Sequence, residues 1–204
     1  MNSFTLWTGR FAKQYSTDQE KIFRHKKYLD NQKIVKAHNA RFELGLETYE
    51  VELNAFADMD IEEFSSIYLG LKKSVEITKK CDGSVTHVDN PPAEFDWEPK
   101  GAVGKVHNQG NCGSCWAFSA VGALEGLGFI EKGTFHDLSP QQLVDCSTKK
   151  EYGNEGCNGG EMNAAFWYVI DHGITDESHY PYAGKTQTCR YNDTQQVYRI
   201  KSCA

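Results

Sequence analysis

Cys115 stands in the run Gln109-Gly-Asn-Cys112-Gly113-Ser-Cys115-Trp-Ala-Phe118, at the head of an apolar stretch that reads as a helix to about Glu131. Cysteine attacks as the thiolate, and only a few per cent of a free thiol is ionised near neutral pH. The unpaired N–H groups and dipole of a helix N-terminus stabilise that anion and lower the thiol pKa. Gln109, six residues earlier, can bring its side-chain amide back over the sulfur, and Gly113 permits the tight turn between them. With the Cys115 backbone N–H, that amide makes two donors for a tetrahedral oxyanion. The chemistry such a set serves is nucleophilic acyl transfer.

The elements that must position these groups lie on both sides. Ser139-Pro140 opens a second helix, serine as cap and proline in the first turn. A third covers roughly Glu161–Asp171. Upstream, residues 4–70 are polar and mostly helix-like. There Glu20, Arg24, Tyr28, Asn31, Val35 and Asn39 recur every three or four residues, along one side of a helix. Periodicity alone makes this a surface helix with an i,i+4 ion pair between Glu20 and Arg24. Alternation across Tyr49–Phe56 predicts a strand, and residues 60–69 a further helix. From Lys72 to Pro92 the chain has the polar, Gly- and Pro-containing composition of a linker. Exposed linkers are where proteases cut. The expected domains are therefore 4–70, a linker over 71–92, and 93–204.

Composition narrows the function classes. Of 204 residues, 39% are apolar and 25% charged, which suits a globular chain rather than a disordered one. A net charge of −6 and a pI near 5.6 argue against a nucleic-acid partner. No apolar run approaches the roughly 18 residues that cross a bilayer, so no membrane helix is expected. The N-terminus carries no apolar signal core. Seven cysteines nevertheless point to an oxidising compartment, and the odd count to one thiol kept free. The six cysteines besides Cys115 allow fifteen pairings, among which the sequence does not choose.

Phe95–Ala120, with its Cys-Gly-Ser-Cys-Trp core, resembles the catalytic region of papain-like cysteine proteases of the cathepsin L type. Asp145-Cys146-Ser, Gly156-Cys-Asn-Gly-Gly160 and Tyr180-Pro-Tyr182 resemble three later landmarks in the same order. The stripe from Glu20 to Asn39 is similar to the family's inhibitory propeptide helix, with Tyr28 where phenylalanine is usual and Val35 where isoleucine is. Asn54, Phe56 and Asp58 resemble a second propeptide motif, in which Glu52 takes the usual glycine position. The resemblance covers nearly the whole chain.

It implies an α+β, papain-like fold: a helical half-domain preceded by a mostly helical inhibitory propeptide, with the β-rich half-domain largely missing. It also implies disulfides Cys112–Cys157 and Cys146–Cys189. A substrate backbone would lie along Gly113, Gly159 and Gly160, with Glu161 and Met162 as one wall of the pocket preceding the scissile bond. Cys81 and Cys203 have no family role; they pair with each other, pair elsewhere or stay free, and pairing with each other would tether the propeptide after cleavage. Asn192-Asp-Thr194 is a glycosylation sequon.

In the family the activating histidine lies roughly 130–150 residues past the cysteine, and this chain ends 89 residues past it. His107, His136, His172 and His179 read as solvated surface histidines rather than as that base. The catalytic histidine and asparagine are therefore expected beyond Ala204, and these 204 residues alone are expected to be inactive. The expectation is a cysteine endopeptidase zymogen, lysosomal or extracellular, acting on peptides or proteins, with its own propeptide in the cleft and no cofactor or metal. Acid is expected to free the propeptide as carboxylates in its salt bridges protonate. The rival is a non-catalytic inhibitor built on residues 4–70. A thioredoxin-type Cys112-x-x-Cys115 lacks the βαβ context it needs, and a zinc site lacks a second close cysteine pair.

Overall fold

A computed structural model describes residues 2–71, 81, 83, 90–148 and 150–203, so most of the expected linker lies outside the described residues. Two compact units divide at Ser66 and Ile67.

The first unit begins with α1 (Ser3–Arg10), capped by the Asn2 side chain on the Thr5 N–H. Next comes α2 (Asp18–Glu43), where Thr17 caps Glu20 and the Glu20 carboxylate reaches back to the Ser16 N–H. Glu20 is spent on this cap, so the expected Glu20–Arg24 pair does not form. Arg24 instead binds Glu63 at 2.6 Å and the Asp58 carbonyl at 3.2 Å. Nor is the striped face a solvated one. Asn31 donates to the carbonyls of Ala57 and Met59, and Tyr28, 2% exposed, joins Phe4 and Trp7 in an aromatic core.

Residues 49–56 form no strand. Asn39 explains why: its side-chain amide donates to the Val51 carbonyl and accepts from the Val51 N–H, each at 2.9 Å, doing for one residue what a neighbouring strand would do. Asn54 Oδ1 then turns the chain by accepting from the Phe56 N–H, and buried Asp58 receives Lys13 Nζ and Tyr15 Oη at 3.0 Å each. Glu52, exposed, pairs with Arg10. α3 (Ile61–Tyr68) follows, with the unit boundary inside it.

The second unit is built on α4 (Cys115–Lys132), packed against α5 (Pro140–Cys146) and α6 (Met162–His172). Trp116, Val121, Leu124, Leu143, Tyr168, Val169, Ile174 and Tyr198 fill the core. α5 is buried along its whole length, which requires its polar side chains to be satisfied. Gln142 makes three hydrogen bonds, to Tyr168 Oη and the Gly173 carbonyl and from the Thr175 N–H, while Asp145 accepts from Gln141, Tyr180 and the Gln187 backbone. Among the described residues there are isolated β-bridges but no strand, so what is seen is the helical part of the expected α+β architecture.

Three disulfides are formed: Cys112–Cys157, Cys146–Cys189 and Cys81–Cys203. Cys115 is the free thiol.

Candidate active site

Cys115 opens α4, so its backbone N–H has no acceptor within the helix. The turn before it is pinned at Cys112 and Gly113. Gly113 donates its N–H to the Cys157 carbonyl at 2.9 Å, and the Cys112–Cys157 disulfide closes the same corner. A Cβ on Gly113 would stand 2.7 Å from that carbonyl oxygen, so close packing, not a left-handed turn, is what requires glycine here.

Gln109 is held against the turn that leads into α4. Its Nε2 amide donates to the Cys112 carbonyl at 2.8 Å and to the Tyr68 carbonyl at 2.9 Å. One hydrogen thus fixes the side chain and the other points outward to a bound carbonyl. Tyr182 holds this loop from behind: its hydroxyl donates to the Gln109 carbonyl at 2.7 Å and meets Ser114 Oγ at 2.6 Å. Burial raises the Tyr182 phenol above its ordinary pKa, so it stays a donor. The sequence marks Tyr180-Pro-Tyr182 only as a landmark; that its second tyrosine braces the donor loop emerges from the fold.

A peptide segment of the chain crosses these groups. Gly70 N–H lies 3.4 Å from Cys115 Sγ, the Gly70 carbonyl accepts from the Gly160 N–H at 2.8 Å, and Leu71 bridges Gly160 in parallel. Tyr68 Oη adds a bond to Asn111 at 2.9 Å. A Cβ on Gly70 would fall 2.0 Å from the Gly113 carbonyl oxygen, so only glycine lets the strap come this near Cys115. Nothing local to Tyr68–Leu71 announces this contact in the sequence.

The glycine loop is as tightly built. Trp116 Nε1 donates to the Gly156 carbonyl, and Asn154 Oδ1 accepts from the Glu161 N–H. A Cβ at Gly160 would meet Asn154 Oδ1 at 2.4 Å and the Trp116 ring at 2.7 Å. Gly159 sits at φ 114°, which disfavours any side chain. Glu161 is the N-cap of α6, its carboxylate on the Ala164 N–H, and Met162 packs against the core from its edge.

The histidines are not the freely solvated groups expected. His107 lies against Phe118 and 3.8 Å from Asp137, His136 meets Asp176 at 3.2 Å, and His172 meets Tyr152 Oη at 3.0 Å; only His179 is exposed. Among the described residues none hydrogen-bonds Cys115 Sγ. His107, Glu125 and Asp137 bring potential ligand atoms within 4.8 Å of one another, but Lys105 already gives Asp137 a cation at 2.6 Å. Burial pushes the Glu125 carboxyl up to about 7, though it accepts from the Leu138 N–H. Asn192 is exposed, its Oδ1 on the Thr194 N–H.

Comparison with known proteins places these features. The profile of the papain family cysteine protease matches residues 91–204, and that of the cathepsin propeptide inhibitor domain matches residues 4–64. Cathepsin L 2 of Paramecium tetraurelia is 41% identical over 99% of this chain and 65% of its own length. Cathepsin S of Bos taurus is 43% identical over 92% of this chain and 56% of its own. The structure of digestive procathepsin L 3 from Tenebrio molitor larval midgut superposes with a TM-score of 0.86 at 37% identity, covering 99% of this chain and 66% of that one. The chain thus spans between about half and two thirds of the length of these relatives.

Proposed function

This chain belongs to the papain family of cysteine proteases, and we propose that it is the zymogen part of an endopeptidase whose whole protein cleaves peptide bonds through Cys115. Residues 4–70 are its inhibitory propeptide, 71–92 the segment cut on activation, and 93–204 the start of the peptidase domain. The observation that carries the reading is the strap itself: a peptide backbone lies on the nucleophile, with one carbonyl on the Gln109 amide and another on the Gly160 N–H. These are the contacts a substrate backbone needs.

In turnover, the Cys115 thiolate adds to the scissile carbonyl carbon. Gln109 Nε2 and the Cys115 N–H hold the oxyanion, the amine leaves with a proton, and water hydrolyses the thioester. The histidine that moves the proton and the asparagine that orients it belong, by the family resemblance, to the whole protein rather than to the four histidines flanking Cys115. The strap escapes cleavage because it pairs with Gly160 in the parallel sense, the reverse of a substrate by that resemblance. Gly159, Glu161 and Met162 border the same groove, where methionine favours bulky apolar side chains.

The substrates are peptides or proteins, and the compartment is lysosomal or extracellular, in keeping with three disulfides. No helix among the described residues is long and apolar enough to cross a membrane.

The test is peptide turnover by the whole protein after propeptide removal. Cys115→Ala should abolish it, and Gln109→Ala should lower kcat by roughly 10²–10³-fold. Turnover that survives Cys115→Ala would overturn the assignment. A second reading, a free-standing inhibitor, is favoured by the match of residues 4–64 to an inhibitor domain. Potent inhibition of a mature relative with no turnover from the whole protein would select it.

A further inference from the structure

The Cys81–Cys203 disulfide joins the stretch between the strap and the peptidase domain to a point 122 residues downstream. We propose that it is a redox tether: after a cut downstream of Cys81 it keeps the strap over Cys115, and its reduction is the step that frees the site. The proposal rests on the zymogen reading and adds to it a control on release.

Three observations carry it. First, the tether reaches the strap through a short span. Leu71, which pairs with Gly160, is only ten residues before Cys81. A cut beyond Cys81 therefore leaves the strap joined to the domain it blocks, and its rebinding remains intramolecular, at the millimolar effective concentration of a short linker. A cut between residues 72 and 80 would bypass the tether. The position of the cut relative to Cys81 thus decides whether activation needs a reductant.

Second, the far end is anchored. Gly83 donates its N–H to the Cys203 carbonyl at 2.9 Å, and the chain leading to Cys203 is fixed by the Ile174–Tyr198 bridge and by buried Ile200.

Third, this disulfide is open to attack at either end. Cys81 and Cys203 are both half-exposed, whereas the other two disulfides each present one accessible member, half-exposed Cys157 and exposed Cys189, their partners Cys112 and Cys146 being buried at 1% and 8% exposure. Thiol–disulfide exchange requires access to a sulfur. The reductant is a small-molecule thiol. Its thiolate attacks one sulfur of the pair, releasing the other as a cysteine thiolate. A second thiol then resolves the mixed disulfide, leaving two cysteine thiols and one oxidised disulfide of the reductant.

The experiment uses the full chain with a recognition sequence for a site-specific protease inserted between Asn90 and Pro91, cut without any thiol. The readouts are a non-reducing gel and the rate at which an iodoacetamide probe alkylates Cys115. The cut wild type should run as one species near the intact 23.0 kDa mass, and should separate into two on reduction. The cut Cys81→Ser/Cys203→Ser chain should separate with no reductant, with Cys115 alkylated roughly a hundredfold faster than in the cut, oxidised wild type.

Should that variant fail to fold, graded reduction of the wild type by a phosphine, with mass mapping of the labelled cysteines, replaces it. The fragments should then part as Cys81 and Cys203 become labelled, and stay joined while those two remain unlabelled. Two fragments from the oxidised wild type, equal alkylation rates, or fragments that stay joined after Cys81 and Cys203 are labelled would each overturn the tether. None of these readouts needs the chain to hydrolyse a peptide bond, so a failure of the zymogen reading appears in the turnover assay alone.

Discussion

The two units hold their carboxylates in opposite ways. In residues 2–66, exposed Asp30 and half-exposed Asp60 and Glu47 are each lowered from the ordinary carboxylate pKa by a hydrogen bond, from Lys33, Lys27 and Arg41 respectively. In residues 67–203, burial pushes Glu125 up to about 7 and also raises Glu177, with the charge of nearby Asp137 adding to both. A lowered pKa contributes stability above the unfolded value and loses it as pH falls through the folded one, so these three pairs weaken only as pH falls below the ordinary carboxylate values. A raised carboxyl does the reverse. Between about pH 4.5 and 7 the folded second unit binds more protons than the unfolded chain, so acid stabilises it, by on the order of 3 kcal/mol for Glu125. Mild acid therefore secures the unit that carries Cys115. In mild acid, above the ordinary carboxylate values, these three pairs stay formed.

Cores differ as well. The second unit packs three helices and two disulfides around Trp116, while the first relies on Phe4, Trp7, Tyr28 and Ala57. The sharpest test removes one aromatic from each. Trp116→Ala should cost the second unit about 4 kcal/mol in denaturant unfolding, and Tyr28→Ala should cost the first about 3 kcal/mol. Because a small unit has little stability to lose, hydrogen exchange of the Tyr28 variant should show protection lost across residues 2–66 and kept in α4 to α6. Loss of protection in both units together would break the distinction.

Glu125→Gln comes next. It keeps an acceptor for the Leu138 N–H but cannot ionise, so the rise in second-unit stability between pH 7 and 4.5 should flatten. An unchanged pH profile would place the titrating group elsewhere. Lys33→Ala should have the smallest effect, leaving the first unit's melting midpoint at pH 7 nearly unmoved, since its pair with Asp30 is exposed and such pairs contribute little. A large drop there would mean that these surface pairs, not the aromatic core, hold the unit.

Much of the site was legible because its logic is local. Cys115 at a helix start, Gln109 six residues before it and the Ser139 cap all depend on short-range spacing, and the structure places all three as their spacing implies. The readings that failed depended on neighbours far along the chain. Alternation over 49–56 satisfied the pattern of a strand, but Asn39 took the backbone groups that a strand partner would have used. Glu20 and Arg24 had the right separation, but a cap and Glu63 offered better partners. The histidines were read as solvated because nothing nearby in sequence revealed Asp137, Asp176 or Tyr152 beside them.

The sequence by itself determined the thiol at the head of its helix, the glutamine six residues before it, the helices α4 to α6 and the family to which the chain belongs, since each is written in residue type and short spacing. Only the tertiary structure decided that Cys81 meets Cys203, that Gly70 lies on Cys115, that Tyr182 braces Gln109 and that Glu125 titrates near neutrality. Those outcomes come from groups 45 to 122 residues apart in the first two cases, and from hydroxyl placement and desolvation in the others. Proximity and burial of that kind exist only once the core has closed.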